Sequence, residues 1–303
     1  MKKVKMLLIP LATATFLVGC ETPPPAKETV SFSLTSESQT TPVDNSVKLY
    51  VDWTPSNHSI KFDSFTLTTE QSVEYTISFS KDSKARPMEV NITFADILKD
   101  DLSGSLNFSY LDKTTNTSGN DKVTVSINSP LKVSKDEFNQ AASLTGFQYM
   151  QIEETRNNEK SLFEFSPTVY HMRSEQTEIE KYLHKVSDNV YDKYYHFLED
   201  PWTYTPDYPD GADEFLTPQT HDEAQPKSFL DSVGGKYGEN INYDASKGSY
   251  ICRITYEEIY MELETKFMNK KVISFSYFVS NEPTDKTSFT YQYEEITPEL
   301  PII

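Results

Sequence analysis

From Val30 to Ile127 apolar and polar side chains alternate every second residue. Val47, Leu49, Val51 and Trp53 alternate with Lys48, Tyr50 and Asp52, and Val73, Tyr75, Ile77 and Phe79 alternate with Glu74, Thr76 and Ser78. A period of two sends one set toward a core and the other toward water, so each run predicts a half-buried strand. The runs "SIKFDSFTL", "VNITF", "LNFSY" and "VTVSI" repeat the signal between turn-rich stretches such as "SKDSKARP" and "TTNTSGND". About seven short strands without helical periodicity predict an antiparallel β-sandwich.

The texture changes at "SPLKVSKDEFNQAASL". Ser134 followed by Glu137 is a capping box, and Phe138, Ala141, Ala142 and Leu144 fall on one helical face, so a short helix opens a second domain here. Strands return in "FQYMQIEE", "SLFEFSPTVYHMR", "SYICRITY", "IYMELETKF", "KVISFSYFV" and "TSFTYQYEEI". Met268-Asn269-Lys270-Lys271 and Asp244 to Gly248 predict hairpin turns, and "PKSFLDSVGGKYG" predicts a second helix stopped by its glycines. Residues 177–198 carry two conflicting signals. Ile179, Tyr182, Leu183, Val186, Val190 and Tyr194 follow a helical period, whereas "VSDNV" reads as a turn and "VYDKYYHF" is rich in strand formers. Two strands are the expectation, with a helix as the alternative.

The N-terminus is of another kind. Lys2, Lys3 and Lys5 precede a short apolar run from Met6 to Val18, the pattern of an export signal and too short for the roughly 20 residues of a spanning helix. Leu17-Val18-Gly19-Cys20 resembles the lipobox of bacterial lipoproteins, which implies cleavage after residue 19, diacylglyceryl attachment at Cys20, and a place on the outer face of the bacterial cell membrane. An ordinary secretory peptide with an incidental cysteine is the plainer alternative. The prolines of "ETPPPAKE" favour an extended spacer, so residues 20–28 read as a tether.

Without residues 1–19 the chain has 25 basic and 46 acidic residues, a formal charge of −21. Phosphates would be repelled, which argues against nucleic acid as a partner. With Cys20 lipidated, Cys252 has no disulfide partner and reads as a buried structural thiol. No phosphate-binding glycine loop, Gly-x-Ser-x-Gly elbow, His-Glu-x-x-His or Cys-x-x-Cys occurs. The five histidines are scattered, and only His184 and His196 are placed to meet across a hairpin. Asp207, Asp210, Asp213 and Glu214 surround Gly211 without the register of a calcium loop, so a solvated acidic loop is expected. These readings give no catalytic residues, no metal and no cofactor.

Two resemblances complete the picture. Residues 29–129 resemble bacterial immunoglobulin-like modules in pattern, without the Cys and Trp landmarks of immunoglobulins. Residues 130–303, with "VSKDEFNQA", Asp200-Pro201-Trp202, "YDASKGSY" and "ITPELP", resemble lipoproteins of Gram-positive bacteria and mollicutes that are similar to the LolA and LppX carrier fold. The second resemblance implies a curved antiparallel sheet wrapped on helices, so the expected chain is mainly β, a sandwich followed by an α+β domain with one to three helices. On such a sheet Phe163, Phe165, Tyr195, Phe197, Trp202, Phe275, Tyr277, Phe289 and Tyr291 would line an apolar cavity. Under a flat, helix-covered sheet the same side chains are core. The expected function is accordingly a non-enzymatic, membrane-anchored surface lipoprotein that binds lipid or another apolar ligand. The alternative is a structural or adhesive protein that binds protein partners and no small molecule.

Overall fold

A computed structural model describes residues 29–81, 85–197, 200–296 and 298–302. The export signal, the lipobox and Cys20 lie outside the described residues.

The alternating N-terminal runs form β1 (Ser31–Leu34), β2 (Ser46–Thr54), β3 (Ile60–Thr69), β4 (Tyr75–Phe79), β5 (Met88–Phe94), β6 (Leu102–Asp112) and β7 (Thr117–Ile127). They build two antiparallel sheets ordered β1-β2-β5-β4 and β3-β6-β7. That is the strand distribution of a constant-type immunoglobulin sandwich. Val47, Leu49, Val51 and Trp53 are all buried, as the period of two requires. No cysteine lies in residues 29–129, and the core stacks rings: Phe62 lies 5.1 Å from Phe65 and 5.3 Å from Phe108. Tyr75 ties the sheets together, its hydroxyl donating to the Leu67 carbonyl at 2.7 Å and accepting from the Leu67 amide at 3.1 Å.

The second domain comprises α1 (Lys135–Ala142), β8 (Met150–Arg156), β9 (Glu159–Phe165), β10 (Val169–Ser174), β11 (Ile179–Ser187), β12 (Val190–Phe197), β13 (Thr203–Thr205), α2 (Gly211–Glu214), α3 (Pro226–Ser232), β14 (Ile241–Asp244), β15 (Ser249–Tyr256), β16 (Ile259–Met268), β17 (Lys271–Val279) and β18 (Glu282–Gln292). All eleven strands join one antiparallel sheet ordered β13-β12-β11-β10-β9-β8-β18-β17-β16-β15-β14. Pairing of the last strand, β18, with the first, β8, fuses two meanders into a single sheet. Bulges between Lys185 and Ser187, Lys266 and Phe267, and Tyr277 and Val279 bend and twist its strands. The result is the mainly β chain with a large curved sheet and few helices that the sequence predicts.

Local chemistry explains where elements start and stop. The capping box forms: Ser134 Oγ accepts from the Glu137 amide at 3.3 Å while Glu137 accepts from the Ser134 amide at 2.8 Å. Asn269 and Lys270 both take positive φ, 48° and 66°, at the two-residue turn between β16 and β17. The ambiguous segment folds as the two strands β11 and β12 over residues 179–197, with Asn189 at φ 61° in the connecting turn. The run "SLFEFSPTVYHMR" is two strands rather than one. Ser166 Oγ accepts from the Val169 amide at 2.8 Å, and that closes a turn between β9 and β10. Strands β13 and β14 are too short to show a period in the sequence.

The domains meet closely. The Tyr243 hydroxyl donates to the Lys99 carbonyl, and Lys132 pairs with Asp100 at 2.7 Å and Asp101 at 3.0 Å. Gly248 has φ +65°, and a Cβ there would come within 2.8 Å of Leu131 Cδ1, so the "DASKG" turn sits directly against the linker.

Candidate functional site: the two faces of the large sheet

Six of the nine aromatics singled out above belong to one packed cluster on the sheet's inner face. Phe163, Phe165, Phe275, Phe289 and Tyr291 are buried, and Tyr277 is half-buried against them. Helix α3 closes over them: Phe229 stacks on Tyr277 at 4.3 Å and meets Phe275 at 5.7 Å. Helix α1 adds Phe138, 5.2 Å from Tyr250 and 5.1 Å from Phe267. The buried Tyr291 hydroxyl is satisfied by the Ala224 carbonyl at 2.7 Å. The remaining three stand apart. Tyr195 is half-buried near Lys193, Phe197 is exposed at the end of β12, and Trp202 lies on the opposite face against His196 and Tyr182. None of the nine lines the hollows bounded by Thr40 and Asn269, by Ser64 and Asn120, by Arg173 and His196, or by Gln140 and Lys271.

The acidic loop also sorts by direction. Asp207, Asp210 and Asp213 are exposed, whereas Glu214 on α2 turns toward the sheet. It accepts from Lys181 Nζ at 3.1 Å, from Lys193 Nζ at 3.1 Å and from the Tyr208 hydroxyl at 2.5 Å. Partial burial alone would raise its pKa. The hydrogen bonds from Tyr208, Lys181 and Lys193 outweigh that and bring the carboxyl down to about 2. Gly211 permits the approach, since a Cβ there would fall 2.3 Å from Tyr191 Cβ. No group of three or more His, Cys, Asp or Glu placed to hold a metal ion occurs among the described residues. Cys252 is buried, and burial pushes its thiol up to about 11, which leaves it inert as a nucleophile at neutral pH.

A crevice of about 530 Å³ runs along the domain junction, bounded by Thr40, Asn128, Ser134 and Asn269 among others. Its charges neutralise one another, Lys132 against Asp100 and Asp101 and Lys270 against Glu137, so it offers hydroxyls and amides but no free charge.

The outer face of β9 to β13 is different. Cross-strand register places Glu164 and Tyr182 on either side of His171, because β9, β10 and β11 pair in sequence. His171 Nδ1 lies 2.6 Å from Glu164 Oε2 and Nε2 lies 3.1 Å from Glu180 Oε1. The Tyr182 ring stacks on His171 at 4.1 Å with an interplanar angle of 13°, and its hydroxyl donates to Glu180 at 3.2 Å. Burial first, and the Glu180 charge second, push the Tyr182 hydroxyl well above the usual phenol range. The aromatic surface continues: Trp202 lies 5.7 Å from Tyr182 and 5.0 Å from His196, and Tyr194 lies 5.0 Å from Tyr204. Beside it a hollow of about 270 Å³ is lined by Arg173, Ser174, Glu175, Glu178, Ile179, Glu180 and His196.

Sequence spacing does not reveal this cluster, because its members come from five strands and a connecting loop and meet only through register. His184 and His196, the one pair placed to meet, do not face each other across the hairpin. The tight turn after Ser187 sets His184 opposite Asp192 and His196 opposite Glu180.

No protein-family model matches the chain, and no curated protein matches it significantly.

Proposed function

We propose that this chain is a non-enzymatic, membrane-anchored surface lipoprotein that binds an external partner through the outer face of its large sheet. The observation that carries the reading is the contrast between the two faces. The inner face is filled by its own aromatics and helices, while the outer face carries half-exposed rings and carboxylates next to a hollow. Exposed aromatic and charged groups on a rigid sheet are the ordinary material of a recognition surface. In this reading Cys20 carries the lipid, residues 20–28 act as a tether, and the sandwich raises the second domain from the bilayer. Two acyl chains on one thioether-linked glyceride hold a protein far more firmly than one.

A lipid-carrier role is the second reading. It is favoured by the single antiparallel eleven-stranded sheet with helices on one face, the arrangement that the carrier resemblance implies. It requires α1 and α3 to yield space to a ligand.

Anchoring is tested by fractionating cells that express Cys20→Ala. The variant is expected in the medium rather than with membranes; unchanged membrane retention contradicts the anchor.

A further inference from the structure

We propose that the hollow at the end of β10 and β12 binds a single sugar ring, a neutral pyranose presented on a glycan. The inference rests on the surface-binding reading and names its ligand class.

The charges of the hollow select against ions. Arg173, Glu175, Glu178 and Glu180 line the same space of about 270 Å³. Arg173 is exposed and has no ion-pair partner among the described residues. A free cation drawn in by three carboxylates meets the guanidinium of Arg173. An anion drawn in by Arg173 meets the carboxylates. A neutral polyhydroxyl ligand suits both at once, because each hydroxyl donates to a carboxylate oxygen while its own oxygen accepts from the guanidinium N–H groups. Hydrogen bonds to charged groups are also the stronger kind, which lets a small neutral ligand hold on a wet surface.

The surroundings supply the apolar half of the recognition. His196 lines the hollow and stacks on Trp202, which in turn contacts Tyr182. The negative face of an aromatic ring attracts polarised C–H bonds such as those on a pyranose face. The sheet beside the hollow is firm, since the Tyr182 ring is stacked on the buried His171, whose two nitrogens are both engaged by carboxylates. Size agrees as well. Pockets for drug-sized ligands begin at roughly 300 Å³, so this hollow takes one ring and leaves the rest of a glycan outside.

The test is saturation-transfer NMR on the detergent-solubilised full chain with methyl α-glucopyranoside, methyl β-galactopyranoside, N-acetylglucosamine and, as a cation control, spermine. At least one sugar is expected to show transfer. Arg173→Ala and Trp202→Ala are each expected to weaken its binding about tenfold or more, as loss of a charge-assisted contact or a ring platform does, with unchanged circular dichroism. Should Trp202→Ala disturb the fold, Glu178→Gln at an exposed side chain replaces it with the same expectation. No transfer from any sugar overturns the proposal, as does sugar binding unaffected by the variants. Spermine binding that strengthens in Arg173→Ala assigns the hollow to cationic ligands, which overturns the sugar but leaves the surface-binding reading standing.

Discussion

Phe275→Ala is expected to lower the unfolding free energy by about 3–5 kcal/mol, the range for truncating a fully buried phenylalanine. Phe275 is 0% exposed and touches rings on three sides, Phe229 at 5.7 Å, Tyr277 at 6.0 Å and Phe289 at 6.1 Å. Two of these neighbours are on the sheet and one on α3, so the truncation leaves a void that neither layer fills without moving the other. Chemical denaturation monitored by circular dichroism reads the effect directly. The same variant separates the two readings of the inner face. A side chain lining a ligand cavity in the free protein already lacks neighbours on one side, so its loss costs little stability. A change below about 1 kcal/mol therefore argues for a cavity.

Asp112→Ala is expected to cost a similar amount, about 3–5 kcal/mol, for a different reason. The Asp112 carboxylate is buried at the end of β6 and meets His58 Nδ1 at 2.7 Å. It also accepts from the Thr115 hydroxyl at 2.7 Å and the Thr114 amide at 2.9 Å. Removing it orphans donors on the turn between β6 and β7 and leaves a buried imidazole beside an empty space. The pH dependence follows from the same contacts. Burial alone would raise this carboxyl, but hydrogen bonds from Thr115, His58 and Thr114 hold it below its ordinary value. A carboxyl depressed in the folded state contributes stability above the unfolded pKa of about 3.9, and that contribution is lost as pH falls further. Wild-type stability should accordingly drop more steeply below about pH 4 than that of Asp112→Ala. Parallel acid-titration curves for the two proteins would contradict the assignment.

The strands of the sandwich were legible in the sequence because each buries one face: Val47, Leu49, Val51 and Trp53 announce β2 unaided. Helix α1 and the turn at Asn269-Lys270 were legible because capping and positive φ demand particular residues. The segment that became β11 and β12 was ambiguous for a physical reason. Both faces of the sheet are covered in part there, Leu183 and Lys181 by the inner layer and Tyr182 by Trp202, so the period of two is blurred. Strand order was not legible, since pairing of β18 with β8 joins residues more than a hundred positions apart. The outer-face site is a product of that order. Glu164, His171 and Glu180 carry no spacing rule, and the inward turn of Glu214 depends on two lysines from neighbouring strands. The nine aromatics were correctly visible as a set of apolar residues, but alternation alone does not say which of them a helix covers.

In the function proposed above, the second domain works from its outer face and keeps its inner face filled by its own side chains. Native mass spectrometry of the full chain released from membranes, followed by organic extraction, tests it most directly. The expected result, across independent preparations, is the mass of the polypeptide plus one glyceride at Cys20 and nothing more. A stoichiometric second lipid that is lost in Phe275→Asp, with the fold preserved, would contradict it and establish the inner face as a binding cavity.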